Sequence, residues 1–139
     1  MLYAFRGRCS FRVYIPNKPA KYGINVFSMV NARTSYVSNL EIYAGKQPEG
    51  PFAISNKTED LVLRFYAPIL GSGRNLTFDN WLTTIPLINK LLEEHKITVV
   101  GTTRKNRKEI PPEFLNGKLR PVNSSMFGFG KNFTLVSHI

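Results

Sequence analysis

Acidic residues are scarce in this sequence. Nine of 139 residues are Asp or Glu against 19 Lys and Arg, which leaves a formal charge of +10. Such a field disfavours basic partners and favours polyanions, nucleic acid first and an acidic membrane surface second. Cysteine is nearly absent. Cys9 stands alone, so no disulfide can close within the chain, and a reducing, intracellular compartment is the expectation. Cys9, His95 and His138 have no metal-ligand spacing, which excludes a cysteine–histidine cluster. No apolar run approaches the roughly 20 residues that span a bilayer, which excludes a transmembrane helix, and nucleic acid rather than a membrane is the expected partner. The first residues carry their charges after the apolar ones and include no long apolar core, unlike a signal peptide. Without a secretion signal, the N-x-[ST] sequons at Asn56, Asn75, Asn123 and Asn132 are read as coincidence.

At 42% hydrophobic, the chain can bury the core of one domain. Met1–Phe5 and Phe11–Ile15 read as short strands, separated by Arg6-Gly-Arg8. After the loop Pro16–Pro19, the runs Tyr22–Val30 and Tyr36–Tyr43 are rich in β-branched and aromatic residues, with Asn31–Ser35 as their hairpin connection. Leu61, Val62, Phe65 and Ile69 share one face of a helix over 58–70, with Ser55 or Thr58 as cap and Gly71 as stop. Gly71-Ser-Gly73 is a turn into a strand over 75–78. A helix over 84–96 tolerates Pro86 in its first turn and turns Ile88, Leu91 and Leu92 inward. Ile97–Gly101 is a buried strand, a short helix ends at Leu115, and Met126–Gly130 with Phe133–Ser137 form a hairpin. Strands first, then alternating strands and helices, predict an α/β fold: a mixed sheet flanked by helices.

The most informative residue is acidic. Asp60 and Asp79 are the only aspartates, and Asp79 ends the short strand over 75–78 just before a helix. The C-terminal end of a strand is where open α/β sheets place binding chemistry. A lone carboxylate does not make a Mg²⁺ site, which is held through one or two carboxylates together with substrate phosphates. The plainer reading is an Asp favoured near a helix start by the dipole and free N–H groups.

Ten blocks resemble the piggyBac transposase catalytic domain. They are Phe5-Arg-Gly-Arg-Cys-Ser-Phe-Arg12, Tyr14-Ile-Pro-Asn-Lys-Pro-Ala-Lys-Tyr-Gly-Ile24, Gly71-Ser-Gly-Arg-Asn75, Asp79-Asn-Trp81, Ile85-Pro-Leu87, Val100-Gly-Thr102, Arg104-Lys-Asn106, Glu109-Ile-Pro-Pro112, Ser124-Ser-Met-Phe127 and Thr134-Leu-Val-Ser137. They run in order along essentially the whole chain. The resemblance implies an RNase H-like mixed sheet with flanking helices, truncated at both ends. It implies a site in which three aspartates hold two divalent metals (Mg²⁺) that activate water or a 3′-hydroxyl against DNA phosphodiesters at TTAA ends. The triad's second aspartate falls on Asp79. Its first would lie two residues before Met1, and its third well beyond Ile139. Residues 1–139 are thus expected to be a partial catalytic domain, with 103–139 starting the region inserted after the second aspartate.

Two basic clusters are candidates for DNA contact. Arg6, Arg8, Arg12, Lys18 and Lys21 flank the first strands, and Arg104, Lys105, Arg107 and Lys108 follow the last buried one. The plainer reading of each is a solvated basic face, and the second run also fits a nuclear-import patch. Tyr14 and Tyr22 lie near the first cluster and are assigned to the core rather than to base stacking. Asn80 and Trp81 are expected to support or pack beside Asp79. The expected function is a transposase fragment, catalytically inactive and cofactor-free as this chain, with residual DNA binding in the nucleus. The alternatives are a domesticated module that pairs with a full-length transposase, or a decayed remnant without function.

Overall fold

The computed structural model describes all residues, Met1–Ile139. They form two compact units, Met1–Pro68 and Ile69–Ile139.

The first unit is an antiparallel sheet with one helix. Its strands are β1 (Leu2–Ala4), β2 (Val13–Tyr14), β3 (Tyr22–Val30) and β4 (Val37–Ile42). β3 organises the sheet because its β-branched and aromatic run is the longest, and its partners change along its length. Gly23 pairs with both Ala4 of β1 and Val13 of β2, and Val26–Val30 pair with β4. Only glycine fits at 23, because a Cβ there would lie 2.1 Å from the Tyr3 carbonyl oxygen. The connection to β4 is an Asx turn: Asn31 Oδ1 accepts from the Arg33 and Thr34 N–H groups at 3.0 Å each.

The helix α1 (Thr58–Tyr66) is shorter than its apolar pattern predicts. Pro68 cannot continue regular α-helical bonding, so Ala67–Ile69 tightens into a 3₁₀ turn before Gly71 is reached. Neither expected cap serves. Lys57 holds the N-cap position without a side-chain bond, while the Ser55 hydroxyl donates to the Asp60 carboxylate at 2.6 Å. Leu61, Val62, Phe65 and Tyr66 are buried. Two polar ties join α1 to β4. Asn39 Nδ2 donates to the Phe65 carbonyl at 2.7 Å, and Arg64 forks onto Glu41, Nε–Oε2 3.0 Å and Nη2–Oε1 2.7 Å. The hydrogen bond to Glu41 holds the Arg64 guanidinium above its ordinary pKa.

The second unit opens with a parallel pair. β5 (Asn75–Phe78) and β6 (Thr98–Gly101) run side by side in register from Asn75↔Thr98 to Phe78↔Gly101, joined by α2 (Ile85–His95). Gly71 and Gly73, both at positive φ, make the turn into β5. The Thr84 hydroxyl caps α2 by accepting from the Leu87 N–H, and Pro86 sits in the first turn as expected. Lys96 ends it in the left-handed region at φ 55°, with the Ile97 N–H returning to the Leu91 carbonyl at 2.9 Å. Leu76, Phe78, Leu87, Leu91, Ile97 and Ile110 form the buried core. Beyond β6, the short helix expected before Leu115 is a 3₁₀ turn over Pro112–Phe114. The hairpin of β7 (Ser125–Phe129) and β8 (Thr134–His138) follows, and Arg120 staples it through the Ser137 hydroxyl, the Ser137 carbonyl and the Ser124 carbonyl.

The chain is therefore mixed α/β with few helices. Its strands form three sheets rather than one continuous mixed sheet, with β1, β2 and β4 all paired to β3 and none to the strands of the second unit.

Candidate functional site

Asp79 follows β5 directly, at the end where the β5–α2 connection begins. The residue is exposed, and its orientation is fixed by the backbone around it. Oδ1 accepts from the Trp81 N–H at 3.0 Å and the Leu82 N–H at 3.4 Å. The Asp79 carbonyl accepts from the Thr83 hydroxyl at 2.7 Å and the Thr83 N–H at 3.2 Å. This is an Asx turn rather than a helix cap. The cap of α2 itself is Thr84, and the local backbone N–H bonds that the plainer reading gives Asp79 are made within this turn, one step before the helix.

Thr83 carries more of this arrangement than its sequence position reveals. It is the one polar residue of the buried set, 4% exposed. A Cβ at Gly101, at the end of β6, would lie 2.5 Å from its hydroxyl oxygen. Thr83 and Gly101 therefore pack together beneath the turn that presents Asp79. Nothing in the sequence marks this pair, since each reads as an ordinary loop or strand-end residue.

The donor set for a divalent metal is incomplete. No group of three or more His, Cys, Asp or Glu side chains is placed to hold a metal ion. One Asp79 oxygen already accepts two backbone N–H groups. The residues present thus do not by themselves fit the two-metal site that the resemblance implies. Asn80 is exposed and Trp81 half-buried. A hollow of about 700 Å³ in this unit has walls that include Ile88, Leu92, Val99, Ile110, Phe133 and Leu135. Asp79 is not among its lining residues.

The first basic cluster is partly assembled by the β2–β3 hairpin. Arg6, Arg8, Arg12, Lys18 and Lys21 are all exposed. Arg6, Arg12 and Lys21, with Tyr22, help line a hollow of about 430 Å³, and Arg8 and Lys18 stay outside it. Arg12 is the fixed member. Its Nη1 donates to the carbonyls of Arg6 and Gly7 at 3.1 Å each, and its guanidinium lies 5.1 Å from the Tyr22 ring centre. Tyr14 pairs with Tyr22 across the strands, with ring centres 4.8 Å apart and ring planes tilted by 38°. The core assignment of these tyrosines is corrected here: Tyr14 is 55% exposed and Tyr22 46%. In a two-residue strand, alternation tells which side chains share a face but not which face is covered.

The second basic run lies in the turn after β6. Arg104, Lys105 and Lys108 are exposed, and the Arg107 N–H bonds the Arg104 carbonyl at 3.2 Å. Arg107 itself is half-buried, with its Nε out of reach of any acceptor. It therefore differs from the solvated cation that the charge run predicts.

A family model described as Transposase IS4 matches residues 1–138, and the chain belongs to this transposase family. The particular resemblance to piggyBac transposase also holds. A piggyBac transposase solved by cryo-EM in a synaptic complex with hairpin DNA is similar to this chain at 46% identity and a TM-score of 0.86. The match takes in 99% of this chain and 29% of that one, so the chain spans less than a third of the transposase it resembles.

Proposed function

We propose that this chain forms part of the RNase H-like catalytic domain of a piggyBac-type DNA transposase, with Asp79 as the second of three metal-holding aspartates. The observation that carries this reading is the position of Asp79 in a chain matched along 99% of its length to a piggyBac transposase. Asp79 follows the first strand of a parallel pair, held by an Asx turn with the carboxylate exposed. In the whole protein, Mg²⁺ would promote attack on a DNA phosphodiester. This chain's share is to hold one carboxylate steady and to bind DNA phosphates nearby. Alone it has no strand-cleaving activity, since the other two aspartates belong to parts of the protein outside it. Thr103–Ile139 begins the region inserted after the second aspartate, and action on DNA is consistent with work in the nucleus.

Phosphate contact has a direct test. Its affinity for duplex DNA should fall steeply as salt rises, because each neutralised phosphate releases condensed counterions, with a log–log slope of about −0.9 per contact. With Arg104, Lys105 and Lys108 replaced by Ala, the slope should become shallower. Affinity that stays flat between low and physiological salt would end the DNA-binding part of the proposal.

A further inference from the structure

Resting on that DNA-binding reading, we infer that the β2–β3 hairpin is a site for an unpaired base of DNA, as in a single strand or a distorted end. An incoming base would lie on the exposed face of the Tyr14 ring, and its phosphates would enter the hollow beside Arg6, Arg12 and Lys21.

Three observations converge on this site. First, the aromatic pair is exposed although it holds sheet strands together. Tyr14 and Tyr22 are direct cross-strand partners, and a pair serving only adhesion gains most when it is covered. Second, the Tyr22 side of the pair is ordered in advance. Arg12 is anchored by two carbonyls and lies over the Tyr22 ring. The loop beneath is closed by the Ile15 N–H on the Lys21 carbonyl at 2.8 Å and the Lys21 N–H on the Lys18 carbonyl at 2.9 Å. Little side-chain freedom would be lost on binding. Third, cationic side chains line a hollow of about 430 Å³ alongside Tyr22, within the usual range of about 300–1,000 Å³ for ligand sites. Aromatic faces beside a cationic groove are the combination that binds single-stranded nucleic acid without strong sequence preference. Paired bases in a duplex are stacked on one another and offer Tyr14 no free face.

The test compares two oligonucleotides with the same number of phosphates, an intact pyrimidine single strand and its abasic counterpart, binding the 139-residue chain at fixed salt. The intact strand should bind about 5- to 100-fold more tightly, the range expected for stacking on an aromatic side chain. Tyr14→Ala should erase that ratio and Tyr14→Phe should keep it. A 2-aminopurine in the strand should lose emission on binding, a readout that needs no variant. Equal affinities with steep salt dependence, or unchanged 2-aminopurine emission at saturation, would overturn the stacking site and leave phosphate binding intact. Failure of both strands and of duplex to bind at low salt would overturn both readings.

Discussion

The β2–β3 hairpin and the Asp79 turn reach their order by opposite routes. In the hairpin, Arg12, Tyr14, Lys21 and Tyr22 lie within eleven residues of one another, and their geometry follows from one cross-strand register and a closed loop. The Asp79 turn is local only in its capping bonds. Beneath it sits Thr83, pressed against Gly101 from a strand that the chain reaches only after α2. The hairpin gathers charge and rings on one surface, whereas Asp79 stands without other metal-ligating side chains grouped around it. A recognition surface built from a hairpin can be complete in a piece of a protein. A metal centre drawn from distant parts of the sequence cannot.

Substitutions can break that comparison from either side. The largest expected loss of stability is on the Asp79 side. Leu91 is fully buried on α2, and Leu91→Ala should cost about 2–5 kcal/mol in chemical denaturation through lost transfer energy and the cavity left behind. A cost near zero would mean that α2 does not hold the β5–β6 pair. On the hairpin side, Gly23→Ala places a methyl against the Tyr3 carbonyl, a backbone group that cannot turn away. The expected cost is about 1–3 kcal/mol, with faster hydrogen exchange in β1. Exchange unchanged in β1 would show that the strand does not depend on close approach at Gly23. The finest probe is Thr83→Val, which removes the hydroxyl bonded to the Asp79 carbonyl and nearly preserves shape. It should cost about 1 kcal/mol, because the Thr83 N–H still reaches the same carbonyl.

Much of the fold was legible in the sequence, and its failures have particular causes. β3 and β5 were read at their observed limits because turn residues bound their β-rich runs. The helix over 84–96 was read within a residue at each end, since Thr84 and Pro86 mark its start. α1 was drawn too long because its apolar spacing runs on through Ile69, and Pro68 overrides the pattern. A single sheet was expected from element order, which carries no information on which strand edges are already occupied. The prominence of Asp79 was visible from its rarity and its place after a strand. The exposure of the tyrosine pair was not, because apolar alternation identifies a face without saying whether it is covered. Thr83 and Gly101 left no signal at all, since their contact exists only after β5 and β6 have paired.

The most direct measurement is a segment exchange. This chain would replace the matching 29% of the piggyBac transposase it resembles, and DNA strand cleavage would be followed in Mg²⁺ with and without Asp79→Asn. The exchanged protein should cleave DNA, and Asp79→Asn, which keeps the Asx turn but removes the charge, should lower cleavage by several orders of magnitude. Cleavage undiminished by Asp79→Asn would contradict the metal-holding role of Asp79.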